Sequence, residues 1–315
     1  MDDSLESENR LGATATSRRV MLLVNRYARS GNASIAPAIE VFEKAGIDVF
    51  VETAASPGEM GTDIMRRADD ADAIMVGGGD GTLNAAAPGI VETGLPLAIL
   101  PLGTANDLAR TLRIPTDPAD AARVVLAGHQ RRIDLGYVND HPFFNVASIG
   151  LSVELADALT PHLKRRWGKL SYVLAGLRVV TRARPFRAWI AADEHGTARE
   201  VRSYQIAVGN GRHYGGGMVV EHEAEIDDET LDLYSLEMKG VLRLALLAGA
   251  FQSGRQGLWH EVRTAKGQGF LIQTRKPRSI NADGEIVGKT PARFRVSPGA
   301  ITVFAPAADG GKVPG

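Results

Sequence analysis

The chain contains no cysteine. That excludes disulfides, thiolate nucleophiles and cysteine-ligated zinc, and it fits a reducing compartment. Neither sign of charge is in excess: 36 Lys and Arg stand against 37 Asp and Glu, for a formal net charge of −1. Bulk electrostatics therefore gives no argument for a nucleic-acid partner. No run approaches the roughly 20 apolar residues of a membrane span. The longest candidate, Val241 to Phe251, is too short and carries Arg243. Residues 1–17 are polar and acidic and lack the apolar core of a signal peptide, so they read as a disordered leader. The Gly- and Pro-rich segment 308–315 reads as a frayed tail, and no internal repeat of fixed period is visible.

What is present is a soluble globular composition in 315 residues, long enough for two domains. The first part alternates in period. Strand-like runs at 19–25, 48–53, 73–76 and 96–100 alternate with helical spacing at 36–45, 58–68, 83–91 and from Gly103 onward. This β-α-β-α order predicts a doubly wound parallel sheet, whose ligands bind beyond the C-terminal ends of the strands. After about Gly136 the pattern changes to short runs at 142–148, 186–191, 203–209, 230–236, 270–274, 292–296 and 301–305. Gly, Asn, Asp and Pro turns separate them, with helical insertions near 162–182 and 240–253. The expectation is an α/β domain over 18–135 and a mainly antiparallel β domain over 136–296.

One feature dominates the first part. Gly77-Gly78-Gly79-Asp80-Gly81-Thr82-Leu83-Asn84 follows the apolar run Ala73 to Val76. Glycines let bare backbone amides approach a phosphate, and a helix N-terminus adds a favourable dipole. A carboxylate inside an anion-binding turn makes sense if a divalent cation travels with the phosphates. The turn matches neither the dinucleotide fingerprint nor the Walker form; its bland alternative is a structural turn with Asp80 as a cap.

Four further segments stand out. Gly103 to Arg110 repeats the turn-then-helix logic, with Thr104 able to offer a hydroxyl and Asp107 and Arg110 spaced to pair. Gly209 to Met218 is a second glycine-rich loop. Glu225 to Asp232 is a carboxylate turn able to hold a hard cation or simply to face solvent. Asn281-Ala282-Asp283-Gly284-Glu285 is either a plain hairpin or the seat of a general base. Between Ala158 and Ala192 there are eight Lys or Arg and no Asp or Glu. This basic, Trp-bearing stretch, with its cations at 164–187, suits an anionic membrane surface or an amphipathic helix packed on the β domain.

The glycine turn with Leu100 to Arg110 resembles the catalytic domain of diacylglycerol kinases. Asn210-Gly211, Gly215 to Met218 and Asp283-Gly284-Glu285 extend the resemblance to bacterial soluble lipid kinases of that superfamily, related to sphingosine and ceramide kinases. It covers roughly residues 19–306. It implies an N-terminal doubly wound nucleotide domain and a C-terminal β-sandwich for the lipid, with the chain end (297–307) returning to the first domain. ATP would be held by Asn25, Arg26, Tyr27, Ala28 and Arg29, by Thr53, by Gly78, Gly79, Asp80, Gly81, Thr82, Leu83, Asn84 and Ala85, and by Thr104. Asp80 would act near the catalytic Mg²⁺, with Asp107, Arg110 and Asp134 as a charge network around it. A structural Mg²⁺ would map onto Glu225, Asp228 and the carbonyl of Thr230. The proton acceptor would be Glu285 or Asp283, with Glu285 favoured.

Three positions depart from the family pattern. Arg26 stands where proline is usual, Glu229 stands where glycine is usual, and no proline lies near Glu221-His222. The expected function is phosphoryl transfer to a lipid hydroxyl, diacylglycerol first, by a protein that is cytoplasmic and peripheral to the membrane. The rivals are an NAD kinase or sugar-phosphate kinase acting on a soluble acceptor, and a non-catalytic lipid- or nucleotide-binding regulator. The oligomeric state stays open, with a homodimer as one option.

Overall fold

A computed structural model of the chain describes residues 18–25, 35–151, 153, 184–192, 196–210, 213–214, 218–219, 225–237 and 262–307. The leader, the tail, the loop residues Arg26 to Arg29, both helical insertions and most of the second glycine loop lie outside the described residues.

Strands β1 (Arg19–Asn25), β2 (Asp48–Ala54), β3 (Ala73–Gly78) and β4 (Leu97–Pro101) form a parallel sheet in the order β2-β1-β3-β4. All residues of β3 and β4 are buried, as expected for central parallel strands covered on both faces. The cover is helical. α1 (Ala36–Lys44) lies against α5 (Pro118–Ala127), and α2 (Met60–Arg67) against α3 (Asp80–Thr93). The α2–α3 contact is backbone-close: a Cβ on Gly89 would lie 2.5 Å from the carbonyl oxygen of Gly61. A short helix, α4 (Asp107–Thr111), follows β4. Ile74, Met75 and Val76 are fully buried in the resulting core, each stabilising it by about 1.5–3 kcal/mol.

The remaining strands are β5 (Gln130–Val138), β6 (His141–Phe143), β7 (Val146–Gly150), β8 (Phe186–Ala191), β9 (Arg199–Ser203), β10 (Gln205–Gly209), the two-residue pair β11 (His213–Tyr214) and β12 (Met218–Val219), β13 (Leu231–Leu236), β14 (Val262–Gly267), β15 (Gly269–Thr274), β16 (Ser279–Ala282), β17 (Glu285–Lys289) and β18 (Ala292–Phe304). β18 joins β4 and extends the first sheet to ten strands through β15, β8 and β9, with β5 and β6 attached on its other side. A second, antiparallel sheet runs β14-β13-β10-β7-β16-β17. The second core lies between them: Phe186, Val201, Phe270 and Phe294 from the first sheet meet Ile149, Ile206, Leu233 and Ile280 from the second.

The architecture is the expected one, an N-terminal α/β unit with a parallel sheet and a C-terminal β-sandwich. Three details differ from the sequence expectation. The run 142–148 is two strands, broken at Phe144-Asn145. The runs 292–296 and 301–305 are one strand, bulged between Ser297 and Ile301. Strand β5, at the change of pattern, was not anticipated; its burial does not alternate, and Arg131, Arg132 and Asp134 interrupt any apolar run. Among the described residues no helix is long and apolar enough to cross a membrane.

Candidate active site

The C-terminal ends of the first four strands share one edge. The register pairs Asn25 with Ala54, Thr53 with Val24, Val24 with Gly77, and Gly78 with Pro101. The two glycine turns therefore stand side by side. A Cβ on Gly103 would lie 2.5 Å from Gly79 Cα and 2.6 Å from Asn106 Oδ1; one on Gly78 would collide with Thr82. Glycine is needed here for backbone approach. Asn106, in the left-handed region at φ 51°, closes the second turn by accepting from Gly103 N and donating to Gly103 O, both at 3.0 Å.

Helix α3 starts at Asp80, three residues earlier than its spacing suggested. The amides of Thr82 and Leu83 bond Gly79 O, leaving those of Asp80 and Gly81 as the outward-facing donors of the first turn. Leu83 is buried in the first core, so its side chain packs and does not line a ligand site. Asn84 is buried beside it, and no donor among the described residues reaches its Oδ1. Ala85 and Thr82 are half-buried; Thr53, Thr104 and Arg110 are exposed.

The Asp80 carboxylate accepts from the amides of Asp107 (3.2 Å) and Leu108 (3.1 Å), capping α4, and from Asn145 Nδ2 (3.3 Å). All three donors are neutral. Asn145 was not singled out from the sequence, because it lies inside an apolar run that reads as one strand. The break at Asn145 is enforced by Asp283. That carboxylate accepts from the amides of Phe144 (2.7 Å), Asn145 (3.2 Å) and Val146 (2.9 Å). Burial pushes the Asp283 carboxyl up to about 6; the three amides pull it down, and the charge of Asp80 adds to the rise. Two residues on, Glu285 is exposed, and its Oε1 lies 3.4 Å from where a Cβ on Gly81 would stand. The hairpin and the glycine turn, about 200 residues apart in the chain, thus face each other.

Arg110 Nε donates to Ala105 O at 2.8 Å. Asp134 is buried, with Glu229 N at 2.6 Å on one carboxylate oxygen and Gly299 N at 2.7 Å on the other. It connects to the Asp80 cluster through Asn210, whose amide donates to the carbonyls of Asp134 and Phe144.

In the acidic turn both carboxylate oxygens of Asp228 have partners. Asp228 takes Lys266 Nζ at 2.7 Å on one oxygen and the amide and hydroxyl of Thr230 on the other. Burial pushes its carboxyl up, but the bonds from Lys266 and Thr230 outweigh that and hold it below its ordinary value. Asp227 pairs with Arg131 at 2.6 Å. Glu229 occupies the left-handed region at φ 60°, where glycine would carry no penalty. The ammonium of Lys266 thus lies on one oxygen of Asp228, one of the residues expected to hold a structural ion, while Glu225 is exposed. Among the described residues no group of three or more acidic or His side chains could hold a metal ion.

Residues 19–138 match the diacylglycerol kinase catalytic domain, and residues 145–305 match the YegS C-terminal NAD kinase beta sandwich-like domain. A protein of Pseudomonas aeruginosa (strain UCBPP-PA14) named "Probable lipid kinase YegS-like" is 33% identical over 305 residues, covering 91% of this chain and 94% of its own. The chain belongs to the YegS-like lipid kinases of the diacylglycerol kinase family. A Staphylococcus saprophyticus protein named "Diacylglycerol kinase" is 27% identical, over 84% of this chain and 87% of its own. A crystal structure from Bacillus anthracis str. Sterne superposes with a TM-score of 0.79 at 26% identity, covering 95% of this chain and 99% of that one. Lipid kinases of this family are phosphotransferases, and a kinase implies ATP as phosphate donor. The two facing turns, one from each matched domain, are where its chemistry would sit.

Proposed function

We propose that the protein transfers the γ-phosphoryl group of ATP to a lipid hydroxyl at a membrane surface, with diacylglycerol as acceptor and phosphatidic acid as product. The observation that carries this reading is the placement of Glu285 Oε1 over the first turn of α3. It sets an exposed carboxylate from one domain against the phosphate-type turn of the other. In this reading the amides of Asp80 and Gly81 and the dipole of α3 receive the phosphates. Asn25, Thr53, Thr104, the turn Gly78 to Thr82, and Asn84 and Ala85 border the nucleotide, with the Leu83 side chain packed behind them. Glu285 takes the proton of the acceptor hydroxyl as its oxygen attacks the γ-phosphorus and the bond to ADP breaks. Asp283, with both oxygens on backbone amides, holds the hairpin in place. Mg²⁺ binds one or two carboxylates together with phosphates; Asp80, which keeps lone-pair capacity beyond its three neutral donors, would meet it and the ion would neutralise charge on the transferring group.

The test is transfer of labelled γ-phosphate to diacylglycerol in mixed micelles, with NAD and sugar phosphates as soluble acceptors. Expected are labelled phosphatidic acid from the wild-type protein and its loss in Asp80→Asn and Glu285→Gln. Transfer to NAD or a sugar phosphate alone overturns the lipid acceptor. Nucleotide binding with no transfer to any alcohol overturns the enzyme reading in favour of a regulator.

A further inference from the structure

The C-terminal part of the ten-stranded sheet turns one face to the second core and the other outward. Its strands alternate accordingly. Phe186, Ala188, Val201, Phe270, Ile272 and Phe294 are buried, while the intervening positions are exposed or half-buried. The register aligns those outward positions in rows across the strands. Arg202 stands opposite Arg187, and the amide of Arg275 bonds the carbonyl of Arg187 to continue the row. In the next row Trp189 lies between Glu200 and Gln273. Beyond it Leu271 stands opposite Arg293, and Arg295 opposite Tyr137, with its guanidinium 4.0 Å over the Tyr137 ring. A groove of about 190 Å³ opens between Leu271, Arg293 and Arg295.

Five arginines thus share one face, and all five are exposed. Glu200 lies on that face, 3.5 Å from Arg187. The whole chain has a formal net charge of −1, so this face is a segregation of charge and not a reflection of composition. The segregation has a cost. Like charges directly opposite on neighbouring strands destabilise a sheet, and Arg187 faces Arg202. A tryptophan and a leucine, half-buried among the arginines, add apolar area of the kind that sits at a lipid–water boundary. Four adjacent strands at about 4.8 Å spacing spread the charges over roughly 14 Å, a span that several lipid headgroups can match.

We propose that this outer sheet face docks the protein on an anionic lipid surface and orients it there. The proposal rests on the reading of the protein as a lipid kinase, for which it supplies the contact with the membrane that holds the acceptor. The arginines bind headgroup phosphates and Trp189 enters the boundary layer.

The experiment is co-sedimentation of the full chain with phosphatidylglycerol or phosphatidylcholine vesicles, together with phosphorylation of a short-chain diacylglycerol dissolved below its micelle concentration. The expected result is at least tenfold stronger partition onto phosphatidylglycerol, abolished by high salt. Arg187→Glu with Arg275→Glu should cut that partition at least tenfold and leave short-chain turnover unchanged. Arg202→Glu should lower partition while raising the melting temperature, because it replaces the like-charged pair with an opposite one. Equal partition onto both vesicles, unchanged partition in the variants, or tighter binding to single-stranded oligonucleotide or polyglutamate than to phosphatidylglycerol overturns the proposal. If no protein phosphorylates the short-chain lipid, the kinase reading fails, and the vesicle series still decides the surface.

Discussion

Two turns of this protein are rich in carboxylates, and they solve the same electrostatic problem in opposite ways. At 225–230 two of the four carboxylates are met by cations: Lys266 bonds Asp228 and Arg131 bonds Asp227. At the junction of the two domains they are met by neutral donors. Asp80 receives two amides and a carboxamide, Asp283 receives three amides, and among the described residues no ion pair involves either of them or Glu285. A carboxylate that has its own cation is electrically complete. A cluster satisfied in hydrogen bonds but not in charge keeps its affinity for an incoming positive group, as a nucleotide–metal complex would be. The difference separates the two turns more sharply than the count of acidic residues does.

The strongest way to break this comparison is Glu285→Gln. It removes the exposed carboxylate without touching a side-chain hydrogen bond among the described residues. Turnover should fall by about 10²–10⁴-fold, with an unchanged melting temperature; retention of activity above a tenth of wild type would remove Glu285 from the chemistry. Next is the pH dependence of Asp283. Its folded-state value of about 6 lies above the unfolded one near 3.9, so the folded protein binds the proton more tightly. The stability this brings is complete below about pH 4 and is lost as the pH rises through 6, a change of up to roughly 3 kcal/mol. Unfolding of wild type and Asp283→Asn in urea at pH 4 and pH 7 isolates it. The wild type should gain relative to the variant on acidification; a relative loss would mean that the three amides outweigh burial.

Asn145→Asp is expected to be smaller. It puts a carboxylate against Asp80 in place of a donor, costing about 1–3 kcal/mol of stability and an order of magnitude or more in turnover. Equal activity would make the Asn145–Asp80 bond incidental. Smallest is Lys266→Met. The pair is partly exposed, with side chains 47% and 21% accessible, so the loss should stay within about 1 kcal/mol. The informative readout is Mg²⁺. Wild type should melt at the same temperature with millimolar Mg²⁺ or EDTA, while the variant should gain from Mg²⁺ as the ion takes the vacated charge. A Mg²⁺ response in wild type would erase the distinction between the two turns.

The reactive side of the comparison was largely legible in the sequence, because its signals are local. Three consecutive glycines followed by Asp80 behind an apolar run declare a strand, a turn and a helix at once. The partners of Asp80 and Asp283 were not legible. Asp283 reaches its amides across 137 to 139 residues, and nothing in the pattern of 142–148 marks Asn145 as a break. The bond from Lys266 to Asp228 spans 38 residues, so the cation beside that carboxylate has no local signal in the acidic turn. The bulge at Ser297 to Ile301 was misread for the reverse reason: its local Pro-Gly signal is genuine, but the strand continues through it.

Strand β18 carries a consequence for how the molecule is made. Its first half supplies Ala292, Phe294 and Val296 to the second core, and its second half supplies Ile301, Val303 and Phe304 to the first. During synthesis β4 is complete about 200 residues before the strand that seals it. Until then the nascent α/β unit presents an unpaired parallel edge, the kind of surface on which chains aggregate. Substitutions in the second half of β18 and its flank should therefore lower the yield of soluble chain more than their effect on the finished fold would suggest.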